Sequence, residues 1–334
     1  MPGEFIELGE GASVNKFGDA LARRHLSLGM LFLDGSLGSS MDGLIQSVAK
    51  VLNFSRSCMQ ITAHAPTVLG VSPFGVPLDS QNINARVKTS YWRVNVVEST
   101  GSTQVDLVKK VRDGVATHGD VLATEFQSAG RGRLDRTFIA PARSALLFSF
   151  YIQPKCDGER WGWLPLLAGQ SVRHAVSEVL DIRGDDSVKL KWPNDILLND
   201  RKVAGLLAER VENPSATGVV IGVGINVHTR QEELPLPSAT SFALQGYSEC
   251  DRNKLLTHIL QSFSDHLERW ENEDSSLLIE YANVSATLGR QVSIEIPGQS
   301  NVISVATGID PSGALVLEDG RRITVGDVIH INAL

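Results

Sequence analysis

Gln127-Ser128-Ala129-Gly130-Arg131-Gly132-Arg133-Leu134-Asp135-Arg136 is the stretch on which the reading of this chain turns. It follows Asp120–Phe126, which reads as a buried strand. Two glycines let the backbone turn tightly and approach a ligand closely. Three arginines converge on one loop, and the guanidinium fork suits carboxylates and phosphates. A mobile anion-binding loop that folds over its ligand fits this pattern. A solvated basic turn fits the spacing equally well, because Gly/Arg loops are common.

Upstream, Trp92–Val97 alternates like a strand, and Thr103–Val115 carries Leu107, Val108 and Val111 at helical spacing. Ser102 and Thr103 therefore sit where a strand passes into a helix. Their hydroxyls suit either a helix cap or a hydrogen bond to a small ligand. Downstream, Ala145–Ile152 reads as a buried strand and Pro165–Leu180 as a helix with Pro165 in its first turn. Val188–Trp192, Lys202–Arg210 and Gly218–Val223 read as strands. Asp251 is a good N-cap for a long helix with an apolar stripe running from Leu255 to Trp270. Gln291–Ile296, Val302–Ile309, Ala314–Leu317 and Val328–Ile331 are short strands between glycine turns, the pattern of a small β-barrel. The fold class is α+β. A core of about 200 residues precedes a small all-β cap, within the usual range of domain sizes.

Three more segments carry chemistry. In Lys189-Leu190-Lys191-Trp192-Pro193-Asn194-Asp195-Ile196, Pro193 ends a strand and fixes a turn. Lys191, Asn194 and Asp195 at that turn suit phosphates and a divalent cation, since hard cations take oxygen ligands. An ordinary polar turn has the same composition. In Arg201-Lys202-Val203-Ala204-Gly205-Leu206-Leu207-Ala208-Glu209 a lysine opens an apolar strand and Gly205 interrupts it. The glycine marks a close approach or a bulge. Ile221-Gly222-Val223-Gly224-Ile225-Asn226 follows a strand, but no third glycine and helix come after it. It is a weak match to a dinucleotide-binding turn, and equally a small-residue wall beneath an apolar ligand.

The chain has 334 residues, 42% hydrophobic and 21% charged. That is a soluble globular composition of about two domains. Thirty-one basic residues stand against 38 acidic ones, a net charge of −7. This disfavours a dedicated nucleic-acid or membrane-surface binder. No apolar run approaches about 18 residues, so no transmembrane helix is expected. Cys58, Cys156 and Cys250 are odd in number and far apart, which argues for free thiols in a reducing cytoplasm. The N-terminus has no secretory signal pattern. Residues 1–75 are Gly/Ser-rich, with five basic and six acidic residues, a weak helical pattern over Leu44–Phe54 and a Pro-containing linker over Ala63–Pro77. They read as an N-terminal extension, poorly ordered or of unknown fold, or as sequence upstream of a start such as Met41. The expected domains are 76–284, a catalytic core, and 285–334, the β cap.

Taken together and in order, Gly101-Ser102-Thr103, Gln127-x-Ala-Gly-Arg-Gly-Arg, Lys191-Trp-Pro-Asn-Asp, Lys202-Val-Ala-Gly-Leu-Leu-x-Glu and Gly222-x-Gly-Ile-Asn resemble the biotin protein ligase family over residues 90–334. The resemblance implies a mixed-sheet, class II synthetase-like ligase core with an SH3-like C-terminal barrel. It implies that biotin and ATP give biotinoyl-5′-AMP, with Mg²⁺ expected, and that biotin then passes to one lysine of a biotin carboxyl carrier protein or domain. The carrier would belong to an acetyl-CoA or acyl-CoA carboxylase or a pyruvate carboxylase. By position, Ser102 and Thr103, helped by Gln127, are implied to hold the ureido head of biotin, and Gln104 is implied to be among the biotin-binding residues. Gly130, Arg131, Gly132 and Arg133 would close over biotin and its adenylate. Gly205, Leu207 and Gly222 would line the biotin pocket. Arg133, Arg136, Phe138, Lys191, Asn194 and Asn226 fall on the ATP side. Lys202 is implied to bind the carboxylate and stabilise developing charge, and Asp195 to orient the acceptor lysine or take its proton, with Arg133 the third catalytic group. Asp135, Phe138 and Gln104 depart from the family pattern, where Gly, Trp and Asn are usual. An altered loop closure or weaker adenylate retention is expected from the first two. Some family members carry a DNA-binding winged helix, whose recognition helix needs basic and polar residues; the near-neutral residues 1–75 do not suggest one, so no DNA partner is expected. The competing readings are a lipoate- or octanoate-type acyl-protein ligase and a non-catalytic biotin-sensing regulator.

Overall fold

The computed structural model describes residues 75–331 except 89, 90, 135, 185, 186, 214, 215 and 297. The helical pattern at Leu44–Phe54, the linker up to residue 74 and the expected lack of a winged helix lie outside the described residues.

Twelve strands are described: β1 (Arg93–Thr100), β2 (Asp120–Gln127), β3 (Ala145–Ile152), β4 (Val188–Lys191), β5 (Asp195–Leu198), β6 (Arg201–Asn213), β7 (Ala216–Asn226), β8 (Gln291–Glu295), β9 (Val302–Ile309), β10 (Leu315–Leu317), β11 (Arg322–Ile323) and β12 (Asp327–His330). The five α-helices among the described residues are α1 (Ser80–Arg86), α2 (Thr103–Arg112), α3 (Leu164–Val179), α4 (Arg252–Glu271) and α5 (Ser276–Asn283). Seven strands form one sheet in the order β1-β2-β3-β7-β6-β5-β4. β1 and β2 run parallel and the remaining neighbours antiparallel. The sheet is mixed, as expected.

Side chains alternate across the sheet. Phe148, Phe150, Ile221, Val223 and Ile225 point into the main core, with Leu255, Ile259 and Phe263 of α4 and Val172 and Val176 of α3. Phe150 meets Phe263 edge-on at 4.8 Å and Trp92 at 5.6 Å. The Trp92 indole donates to Ser264 Oγ at 2.8 Å, so this large aromatic is buried with its one polar atom satisfied. The alternate residues, among them Tyr151 and Val220, pack under Leu107, Val108 and Val111 of α2. The candidate site lies on this second face. Gly114, at φ +70°, follows α2 and explains why the helix stops short of Val115.

α4 begins at its N-cap Asp251, whose carboxylate accepts from Asn253 N at 2.8 Å. Its first turn clasps the segment before α1. Arg252 and Glu125 of β2 form a fully buried ion pair at 2.6 Å. Glu125 also accepts from Leu78 N at 2.6 Å, and Arg252 donates to Val76 O at 2.9 Å. Asn253 accepts from Asp79 N and donates to Pro77 O.

The C-terminal residues form a five-stranded antiparallel sheet ordered β11-β10-β9-β8-β12. Two core tryptophans hold it. Trp192 Nε1 donates to Gly313 O at 3.1 Å, and Trp163 Nε1 donates to Asp310 O at 2.8 Å.

Candidate active site

Two cross-strand rows build the site. In the first, Ser149 of β3 stands opposite Gly222 of β7, which stands opposite Leu207 of β6. In the second, Leu147, Gly224, Gly205 and Asp195 line up across β3, β7, β6 and β5. The glycines are there for close approach. A Cβ on Gly222 would stand 2.7 Å from Gln104 Oε1, and one on Gly224 would stand 2.8 Å from the Phe138 ring.

Above the first row sits the start of α2. The Gln127 side chain caps this helix: its Oε1 accepts from Thr103 N at 2.8 Å and from Thr103 Oγ1 at 3.1 Å. Ser102 holds the N-cap position, yet its hydroxyl makes no cap bond and is buried without a partner. Of the two roles open to these hydroxyls, the cap therefore falls to Gln127.

Above the second row stand the charges. Lys202 Nζ lies 2.6 Å from Asp195 Oδ1, a close charge pair without hydrogen-bond alignment. The Lys202 stem crosses Gly205, whose added Cβ would touch Lys202 Nζ at 3.4 Å. Lys191 faces Asp195 across the β4–β5 pair. Burial lowers the Lys191 ammonium below its usual range, while Asp195 raises it and Lys202 lowers it. Arg133 donates to Asn194 Oδ1 at 3.3 Å and to Gly326 O at 3.1 Å. Burial lowers the Arg133 guanidinium, against the opposing pull of Asp327 and Asp195. It stays cationic, as arginine does. Asp327 of β12 lies 3.6 Å from Arg133 and also pairs with Arg136.

The loop doubles back on itself. Arg131 bridges Thr137, Gly132 N donates to Arg136 O at 2.7 Å, and Phe138 N donates to Gly130 O at 3.0 Å. Asp135 lies outside the described residues. Asn226 is buried on the β7 face that carries Gly222 and Gly224, and its amide donates to Thr240 O at 3.0 Å, so it anchors the 240 loop. Arg131 is exposed. The sequence reading missed Ser149 and Asp327, which no local pattern marks. Gly224 was visible in the Gly222-x-Gly224 pair.

A cavity of about 760 Å³ lies elsewhere, bordered by Tyr91, His118, Lys155 and Glu271 at the opposite ends of β1–β3. It shares no residue with the cluster just described.

Four cations, two carboxylates and a glycine floor on a mixed sheet define a site for joining anions, as a ligase of small acids requires. The comparisons agree. Residues 96–226 match the Biotin/lipoate A/B protein ligase family, and residues 287–331 match the Biotin protein ligase C terminal domain. The chain is 37% identical over 262 residues to the biotin–[acetyl-CoA-carboxylase] ligase of Mycobacterium tuberculosis, covering 76% of this chain and 96% of that protein. It is 30% identical over 311 residues to the bifunctional ligase/repressor BirA of Salmonella typhimurium, covering 88% and 92%, a span that reaches into the first 75 residues. Among solved structures, biotin protein ligase from Aquifex aeolicus in complex with biotin and ATP superposes with a TM-score of 0.60 at 26% identity, over 72% of this chain and 99% of that one. The chain belongs to the biotin protein ligase family.

Proposed function

We infer that this protein activates biotin with ATP to biotinoyl-5′-AMP and transfers the biotin to a lysine of a carrier domain. The observation that carries the reading is the Lys202–Asp195 pair over Gly205, beside Arg133 and Lys191. A carboxylate is a poor electrophile, and its attack on ATP brings two anions together. Lys202 is placed to hold the biotin carboxylate and stabilise charge as the mixed anhydride forms and pyrophosphate leaves. Arg133 and Arg136 take phosphate oxygens, exchanging Asp327 for them. Lys191 and Asn194 border the ATP side, and Phe138 over Gly224 covers it. Once Lys202 turns to the ligand, Asp195 is free to orient the acceptor lysine and take its proton. Ser102, Thr103, Gln104, Gln127, Gly222 and Leu207 surround the ureido head, under the Gly130–Arg133 loop. Asn226 serves the ATP side through the 240 loop it anchors.

Mg²⁺ fits as the counter-ion that ATP brings, since hard oxygen donors suit it and Asn194 Oδ1 and the Asp195 carboxylate are such donors. The acceptor we propose is the carrier domain of an acetyl-CoA or acyl-CoA carboxylase or of pyruvate carboxylase. The domain division follows the same reading, with the core at 76–284 and the cap at 285–334. No helix among the described residues is long and apolar enough to cross a membrane, and we place the reaction in the cytoplasm.

The test mixes the purified chain with biotin, MgATP and a carrier domain, reading transfer by avidin blot and activation by pyrophosphate exchange. Biotin-dependent label and exchange are expected. Their absence, or equal use of lipoate or octanoate, overturns the reading. An inert wild type that still binds biotin would favour a sensor.

A further inference from the structure

Lys202 reaches Asp195 by way of an irregularity in the sheet. β5 and β6 pair Asp195 with Gly205 and Ile196 with Ala204, but then Leu197 with Lys202. β6 therefore carries one extra residue, Val203. Side chains alternate along a strand, so in a regular β6 Lys202 and Gly205 would point to opposite faces of the sheet. The bulge cancels the odd step. Val203 and Ala204 both go into the core, at 0% and 1% exposure, and Lys202 comes round to the face of Gly205 and Asp195.

Lys202 also lies beyond the pairing of β6 with β7, which starts at Ala204. Residues 238–240 take that edge instead. Lys202 N–H donates to Ser238 O at 3.0 Å, and Thr240 N–H donates to Lys202 O at 2.8 Å. The residue before Lys202 holds the same segment. Arg201 Nη2 donates to Pro237 O at 2.9 Å and to Ala239 O at 2.8 Å, and lies 3.3 Å from Gln231 Oε1. Alternate residues of the segment thus serve the Arg201 side chain and the Lys202 backbone.

We propose that Arg201 is a positioning residue for Lys202: its guanidinium ties residues 237–239 to the start of β6 and so fixes the bulge that aims Lys202 at the reacting carboxylate. This rests on the role inferred above for Lys202. Arginine suits the task, because its planar fork gives directed N–H groups to carbonyls that the backbone holds in place, where lysine has a swivelling point charge. Without that tie, the segment that completes the Lys202 backbone is free to shift, and the ammonium shifts with it.

The experiment measures biotin-dependent pyrophosphate exchange by the full chain as wild type, Arg201→Gln, Lys202→Ala and the double variant. Arg201→Gln is expected to lower kcat by about 10–10²-fold, as a small misplacement of a catalytic group does, with the KM for ATP within about twofold. In the Lys202→Ala background the same change should cost less than about threefold, because no ammonium is left to aim. Amide exchange at Lys202 and Thr240 should quicken in Arg201→Gln while that of β3 stays as in wild type. Should Arg201→Gln fail to fold, Arg201→Lys, which keeps a donor but not the fork, goes through the same cycle, with a fall in kcat of about threefold or more expected. A folded variant with wild-type kcat overturns the proposal. So does an equal loss in both backgrounds, which is what a merely structural residue would give. If Lys202→Ala itself exchanges like wild type, or wild type is inert toward biotin, the reading of the site fails and this inference with it. If Lys202→Ala falls and the Arg201 variant does not, this inference alone fails.

Discussion

Lys202 is the residue whose loss should cost most chemistry. It is more than a third exposed, 2.6 Å from Asp195, and lies over a glycine that gives its stem room. Lys202→Ala is expected to lower the rate of biotin-dependent pyrophosphate exchange by roughly 10²–10³-fold, as for the loss of one group aimed at developing charge. Exchange within threefold of wild type would rule out this role. Lys202 was legible because a lysine opening an apolar strand, three residues before a glycine, stands out in the sequence. Ser149 was not legible, because one serine inside the hydrophobic run Ala145–Ile152 looks like a tolerated impurity until the register sets it opposite Gly222. Asp327 was hidden for another reason. It is about 190 residues from Arg133, and only docking of the cap brings them together.

At the scale of elements, the runs with clear periodicity came through: β1 to β4, β6, β7, α2 to α4 and most of the cap. β5 did not, although its signal was present. Asn199 and Asp200 both have positive φ, 50° and 59°, as a two-residue hairpin turn of the primed type requires. The four residues of β5 after Pro193 were too few for periodicity to register. α1 and α5 were missed for the same reason, at seven and eight residues. The loop from Gly130 to Phe138 is the element whose behaviour depends on the cap. Asp327 sits between Arg133 and Arg136 like a substitute phosphate. Asp327→Asn should leave the loop less restrained. Without ligands, trypsin is expected to cleave after Arg131, Arg133 or Arg136 faster in that variant, and biotin with ATP should protect both proteins. Equal cleavage rates would show that Asp327 does not restrain the loop.

Across the whole molecule, several histidines titrate low. Burial holds His118, His228 and His266 below the ordinary range. Burial, with Lys191 and Arg290, takes His330 to about 4. Unfolded histidine titrates near 6.5, so between about pH 6.5 and 4 the unfolded chain binds more protons than the native one. Stability is therefore expected to fall as pH drops through that window. His330→Gln should make the fall of Tm shallower; an unchanged slope would remove His330 from the account. The clasp of Glu125, Arg252 and Asn253 bears on the same global stability. Arg252→Met leaves a buried carboxylate uncompensated and should cost about 3–5 kcal/mol in urea unfolding; a loss under about 1 kcal/mol would contradict that estimate of its weight. The clasp also dictates where the catalytic body can be joined to something else. A fluorophore, a tag or a second enzyme attached ahead of Gly75 leaves Val76, Pro77, Leu78 and Asp79 in their grip. A fusion that starts at Ser80 discards them and leaves the buried carboxylate and guanidinium short of the backbone groups that complete them.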